Sequence, residues 1–284
     1  MSGRPPVIVI GMHRSGTSML TRLLEDLGLF VGWRKQADHE ALFFLDLNQW
    51  LMAQCGGSWD RPETIRDLVG HAEARALVRD YLEVSLRSVR SVSFLGAGRW
   101  LHDRDVASLT EPWGWKDPRT TFTLPIWLDL FPDAKVVHVY RHGVDVAQSL
   151  RHRHGVVLQQ RAERYRKLRW TYAFRAKQTG FSVGLRSASL AEGFALWESY
   201  LEQGREQVRA RGENGFELAY ESFLAEPAST LAEIADFCGL DADPARCEQL
   251  VSGVRGDRGL AYQSDPELVA FADAVKDRLA LHGY

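Results

Sequence analysis

The stretch VIVIGMHRSGTSML, Val7 to Leu20, restricts the fold more than any other part of the chain. Its four β-branched residues suit a buried strand, and Met19, Leu20, Leu23, Leu24 and Leu27 then recur at helical spacing up to a stop at Gly28. Gly11–Gly16 must turn the strand into the helix. Such a turn points unpaired backbone N–H groups and the positive end of the helix dipole at one spot, where an anion, most often a phosphate, is held. Thr17 and Ser18 add hydroxyl donors in the first helical turn, and Arg14 adds a permanent charge with a planar fork of donors.

The loop departs from the ATP-binding pattern G-x-x-x-x-G-K-[ST], because Thr17 stands directly after Gly16 where a lysine belongs. The second apolar strand, within FPDAKVVHVY, ends in Arg141 rather than in an acid able to hold a magnesium ion. Metal-dependent phosphoryl transfer therefore lacks two parts. A donor that needs no metal is favoured, and no metal site is expected.

The remainder of the chain alternates helical and strand patterns. Helices are expected at Leu42–Ala53, Ala72–Val89 and Leu124–Leu130, with a boundary at Pro118 in GWKDPRT. Strands are expected at Lys135–Tyr140 and Phe216–Ala219. Further helices begin at Val144, run through Trp197, Tyr200 and Leu201 to a stop before Gly212, and follow Pro227 to Gly239. This alternation implies an α/β protein with a P-loop-like, three-layer fold, in which a central parallel sheet is flanked by helices. No repeat or linker divides the 284 residues, so a single domain over 1–284 is expected.

Charge is unevenly spread. Residues 151–186 carry ten Lys or Arg against one acid, Glu163, while the rest of the chain holds 25 basic and 36 acidic residues. A segment of net +9 in a chain of net −2 reads as a largely helical surface for something anionic, interrupted near Gly180–Gly184, or as a solvated helix face. Three cysteines without a CxxC spacing indicate neither a disulfide framework nor a zinc site. There is no apolar run of roughly 18 residues and no signal-peptide pattern, so a soluble, cytoplasmic protein is expected.

In VVHVYRHGVDVAQSL, Arg141 closes a buried strand and Ser149 follows eight residues later, about two turns into the next helix. Ligands of open α/β sheets bind at such carboxyl ends of strands. Together, HRSGTS after one strand and the Arg/Ser pair after another resemble the sulfotransferases that use 3′-phosphoadenosine 5′-phosphosulfate (PAPS). GWKDPRT and FPDAKVVHVYRHGVDVAQSL are similar to segments of the bacterial and tyrosylprotein branches, and LAYESFLAEPASTLAEIADFCGL is similar to a further family segment.

The resemblance implies PAPS as co-substrate and an acceptor hydroxyl on a small molecule, lipid or carbohydrate. It gives Arg14 the place of the family's catalytic cation beside the sulfuryl group and sets Lys116 near the bridging oxygen. Ser15, Gly16, Thr17 and Ser18 are expected to hold the 5′-phosphate. Arg141 and Ser149 are expected to read the 3′-phosphate, and Tyr220 the adenine. Arg255, in SGVRGDRG, stands in for a late 3′-phosphate motif whose usual spacing is not met. For the base that takes the acceptor proton, the tyrosylprotein branch points to ADHEALFFLDLNQW, with Glu40 first and His39 and Asp46 behind it. His13, inside the loop, is a further candidate for contact with phosphate or acceptor. Asp117 is expected to orient its neighbours.

SWDRP and residues 151–186 fall where the family's acceptor-facing parts lie, with Trp59, Tyr165, Trp170 and Tyr172 available to stack on an acceptor or to pack. Two alternatives stay open at this point: a P-loop kinase of nucleotides or small molecules, and a non-catalytic nucleotide-binding module. A sequence pI near 6.5 and no aromatic–basic RNA-binding pattern speak against a nucleic-acid partner. Peripheral membrane contact and a homodimer are left open.

Overall fold

Four short strands form one parallel sheet in the computed structural model, which describes residues 3–178, 180–254 and 256–284. They are β1 (Val7–Ile10), β2 (Gly114–Lys116), β3 (Lys135–Tyr140) and β4 (Gly215–Ala219), in the spatial order β2-β1-β3-β4. The helices are α1 (Thr17–Asp26), α2 (Leu42–Ala53), α3 (Ile65–Gly70), α4 (Ala72–Arg87), α5 (Val92–Asp103), α6 (Thr120–Leu128), α7 (Gly143–Leu168), α8 (Leu190–Arg211), α9 (Tyr220–Ala225), α10 (Pro227–Cys238), α11 (Pro244–Val251), α12 (Pro266–Ala274) and α13 (Lys276–Leu281).

The chain divides into two compact units, residues 1–141 with 200–259, and residues 142–199 with 260–284. The first unit contains the sheet. In register, Val7 and Val9 of β1 pair with Lys135 and Val137 of β3, and Ile8 and Ile10 pair with Val136 and His138. Alternation along each strand therefore sends two sets of side chains to opposite faces. On one face Val9, Val137 and Val139 join Leu20, Leu23 and Leu24 of α1 and Leu231, Ile234 and Ala235 of α10 in one buried cluster. On the other, Trp115 stacks on Phe44 of α2 with ring centroids 4.1 Å apart and meets Trp127 of α6 at 5.2 Å. Because helices cover both faces, every residue of β1 is buried, which is why its sequence is continuously apolar rather than alternating.

Strand β2 went beyond the sequence expectation. Gly-Trp-Lys offers too few residues for a period of two, and its pairing with Val7, Ile8 and Val9 is a tertiary event. Helix α6 also begins earlier than expected, at Thr120, and passes through Pro125. A proline inside a helix costs about 3 kcal/mol. Complete or near-complete burial of Phe122, Leu124, Ile126 and Trp127 outweighs it.

The second unit contains all of α7, the first half of α8, and α12 and α13. Asp145, in the first turn of α7, accepts from the backbone N–H of Ala261 (3.2 Å) and Tyr262 (2.8 Å), and the His142 ring stacks on Tyr262 at 4.4 Å. Arg151 pairs with Glu267 (2.6 Å) and Phe194 packs on Trp197 (4.8 Å). Helicity in the basic segment extends through a 3₁₀ turn at Arg169–Ala173 and resumes at Leu185–Ala188. Among the described residues no helix is long and apolar enough to cross a membrane.

Gly11 leaves β1 at φ 132°, and a Cβ there would lie 2.1 Å from the carbonyl oxygen of Val139 in the neighbouring strand. The obstacle is backbone held in the sheet, so it cannot swing aside. Gly11→Ala is expected to lower the unfolding free energy by about 2–4 kcal/mol in denaturant titration. A loss under about 0.5 kcal/mol would mean that the strand exit relaxes freely.

Candidate active site

Polar side chains gather at the carboxyl edge of the sheet, where each strand hands over to the loop that follows it. From β1 comes the turn of residues 11–16. Its backbone reverses hand at Arg14 (φ 73°) and again at Gly16 (φ 95°), and Gly16 serves as the N-cap of α1. A side chain held at positive φ is uncommon outside glycine, Asn and Asp, and such strain persists where surrounding structure imposes it. The Arg14 side chain is exposed, whereas Thr17 is buried and Ser18 half-buried. The Ser15 hydroxyl, in this turn, is buried and among the described residues has no hydrogen-bonding partner. An orphaned hydroxyl beside the N–H groups of a helix start is suited to an anion with several acceptor oxygens.

The loop is tied to its neighbours. Thr121 of α6 accepts from the Gly11 N–H at 3.1 Å. His13 meets Trp59 edge-on at 5.0 Å, and the backbone carbonyl of Trp59 accepts from the Tyr200 hydroxyl at 2.8 Å. The SWDRP stretch is thereby set against the loop. At β4, Tyr220 opens α9 and lies so close to Gly16 that a Cβ at that position would be 2.5 Å from its ring. The Arg141 guanidinium, leaving β3, sits 5.0 Å from the centroid of the same ring and donates to the carbonyl of Arg258 at 2.5 Å. The loop, Arg141 and Tyr220 are thus brought together around one aromatic ring. Ser149 lies half-buried on α7 in the second unit, and Arg255 falls outside the described residues.

Beside the loop, β2 delivers a buried cluster of charge. Lys116 is the register partner of Val9, two residues before Gly11, and is 2% exposed. Its Nζ stands 3.1 Å from Oε1 of Glu40, which is also 2% exposed. Arg119 reaches the other oxygen of Glu40 at 3.5 Å and Oδ1 of Asp117 at 2.9 Å. Two cations and two acids share this space. The Glu40 carboxyl is nevertheless held above its ordinary range, first by burial and next by the Asp117 carboxylate, which together outweigh Lys116 and Arg119. Arg119 is shifted upward by Asp117 and Glu40 against the opposing effect of its burial, the largest single influence on it. Of the three acid–base candidates around residue 40, only Glu40 reaches this cluster: His39 lies 3.1 Å from Glu25, and Asp46 is exposed on α2.

Two residues here escaped the sequence reading. Arg119 is hidden inside GWKDPRT, where nothing separates a buried guanidinium from a surface one. Asn48 sits in the apolar helix LFFLDLNQWLMA and is fully buried. Its amide donates to Asp117 Oδ2 and Thr120 Oγ1, both at 2.9 Å, and its carbonyl accepts from Thr123 (2.7 Å) and Trp127 (2.8 Å). A lone amide in an apolar helix was the available signal. All four of its bonds lie between α2 and the KDPRT turn with α6, so Asn48 fixes the carboxylate that orients Arg119. Asn48→Ala strips partners from three buried side chains besides Asp117, and the expected loss is about 3 kcal/mol of stability by chemical denaturation. A change within about 0.5 kcal/mol would show that this network carries no structural weight.

A model of the sulfotransferase family matches residues 5–244. Among solved structures, the chain is similar to the sulfotransferase domain of the Synechococcus olefin synthase, with 19% identity over 92% of this chain and 80% of that one and a TM-score of 0.46. It is similar to the sulfotransferase domain from the curacin biosynthetic pathway at 15% identity, covering 91% and 81%, with a TM-score of 0.45. A sulfotransferase from Mycobacterium tuberculosis is 17% identical over 89% of this chain and 72% of that one, with a TM-score of 0.45. No curated protein sequence matches the chain. With the family model spanning most of its length, the chain belongs to the sulfotransferase family and is an enzyme of sulfuryl transfer.

Proposed function

We propose that this sulfotransferase takes its sulfuryl group from PAPS and passes it by in-line displacement to an acceptor hydroxyl on a small molecule, lipid or carbohydrate. The observation that carries the reading is the buried Glu40 carboxyl, held above its ordinary range between Lys116 and Arg119 beside the anion-binding turn. A base that takes a proton from a hydroxyl near neutrality works best when its pKa approaches the operating pH. The match of one family model to residues in both units supports reading them as a single functional domain.

In this reading the amides of the turn with Ser15, Gly16, Thr17 and Ser18 hold the 5′-phosphate of the donor. Arg14, exposed at the turn, faces the transferred group, and His13 lines the same mouth. The acceptor oxygen bonds to sulfur as the bond from sulfur to the bridging phosphate oxygen breaks. Glu40 takes the acceptor proton, and Lys116 stabilises the negative charge that builds on the leaving oxygen. Electrostatic donors of this kind are each worth on the order of 10²–10³ in rate. Arg119 acts through Asp117 and Glu40 as a positioning residue. Arg141 reads the 3′-phosphate and Tyr220 carries the adenine, while Ser149 and Arg255 are assigned to the 3′-phosphate by motif alone.

Two measurements test this reading. In calorimetry without divalent metal, 3′-phosphoadenosine 5′-phosphate is expected to bind at least about tenfold more tightly than AMP, and Arg141→Ala to abolish the difference. Equal affinities, or binding that requires ATP and Mg²⁺, would remove the 3′-phosphate role and restore the kinase alternative. In turnover, kcat/KM is expected to rise with pH through an ionisation above the ordinary carboxylate range, because the base acts only when unprotonated. Glu40→Gln is expected to lower kcat by roughly 10²–10⁴ and to erase that acid limb. A variant with wild-type turnover and an unchanged profile sinks the assignment of Glu40.

A further inference from the structure

The basic segment has a structural peculiarity that none of the proposed catalytic or donor-binding roles draws on. Among the described residues from 155 to 183, not one is buried. The second half of α7 and the turn beyond it form an arm that packs chiefly on itself. Tyr165 stacks near Tyr172 (5.7 Å) and meets Phe181 edge-on (5.2 Å). Arg161 donates to the carbonyls of Gly180 (2.9 Å) and Ser182 (2.8 Å), closing the returning strand of chain onto the helix. At the far end Trp170 is 67% exposed and Phe174 85%, and Leu185 on the return is 69% exposed. Val156 and Leu158 on α7 are exposed as well.

Large apolar side chains presented to solvent by an ordered arm with no core mark a surface meant to be covered. The charge says by what. Residues 155–183 carry seven Lys or Arg against Glu163 alone. A second copy of the same patch is repelled by that charge. A polyanion that only stacks on rings leaves Leu185, Val156 and Leu158 without a role. A basic helix with Trp and Phe at its tip has the chemistry of an element lying in a membrane interface, where rings sit at headgroup depth and cations meet lipid phosphates.

We infer that residues 155–183 dock this enzyme on an anionic lipid bilayer, with Trp170 and Phe174 entering the headgroup–acyl boundary and the surrounding Arg and Lys binding acidic headgroups. The inference does not depend on the identity of donor or acceptor, so its test needs no turnover.

The experiment is flotation of the full chain with vesicles of phosphatidylcholine alone, or of phosphatidylcholine with roughly one-third phosphatidylglycerol. The chain is expected to float with the mixed vesicles and not with the neutral ones, and raised salt is expected to release it. The pair Trp170→Ala and Phe174→Ala is expected to lower partitioning on the order of tenfold. The set Arg164→Glu, Lys167→Glu and Arg169→Glu is expected to lower it roughly fivefold or more per position. All five side chains are exposed, so an unchanged thermal midpoint shows that the variants are folded. Equal flotation with neutral vesicles, or none with either, overturns the inference. So does a dimer that Trp170→Ala and Phe174→Ala dissolve, or a single-stranded oligonucleotide that displaces the vesicles.

Discussion

The structure depends on keeping two carboxylates and two cations out of water at one end of a parallel sheet. Removing an ion from water costs several kcal/mol, and attraction inside a protein repays this only where geometry is good and remaining polar atoms are satisfied. Glu40, Lys116, Asp117 and Arg119 meet those terms through mutual contacts and through Asn48, whose four bonds anchor Asp117 and the start of α6. The segment before α2, the end of β2 and the first turn of α6 have to arrive together. The bond from Trp127 to Asn48 joins this network to the aromatic layer built from Phe44, Trp115 and Trp127.

The charges of this cluster also act on the Glu40 carboxyl. With Lys116 and Arg119 on one side, and burial and Asp117 on the other, the Glu40 proton is pulled in opposite directions by effects of similar kind, and burial prevails. The turn of residues 11–16 stands next door because β1 and β2 are neighbours in register, Val9 opposite Lys116. The proposed base and the proposed phosphate site are thus adjacent by sheet topology. On the other flank Tyr220 links the turn to Arg141, its ring against Gly16 and under the guanidinium.

Much of this was legible in the chain and some was not, for physical reasons. The Val7–Ile10 strand, the turn and α1 read directly, since a fully buried strand and an amphipathic helix have short-range signatures. Gly114–Lys116 did not, because a three-residue edge strand is defined by its partner. Pro118 pointed to a boundary, yet α6 continues through Pro125 because burial of its aromatic and aliphatic neighbours compensates. Glu40 was singled out by family pattern, while Arg119 and Asn48 were overlooked, since burial and partnership cannot be read from residue type.

The sequence by itself determined the parallel α/β class, the glycine-bounded turn without a lysine between β1 and α1, the strand-end Arg141 and the concentration of charge in residues 151–186. Each is a local property: periodicity, a glycine spacing or a count of ionisable groups. Tertiary structure alone decided that Lys116 is buried against Glu40, that Asn48 holds Asp117, and that Trp170 and Phe174 are left outside any core. Those outcomes turn on which distant segments meet and which groups lose water in doing so, and desolvation is a property of the folded surroundings rather than of the residue.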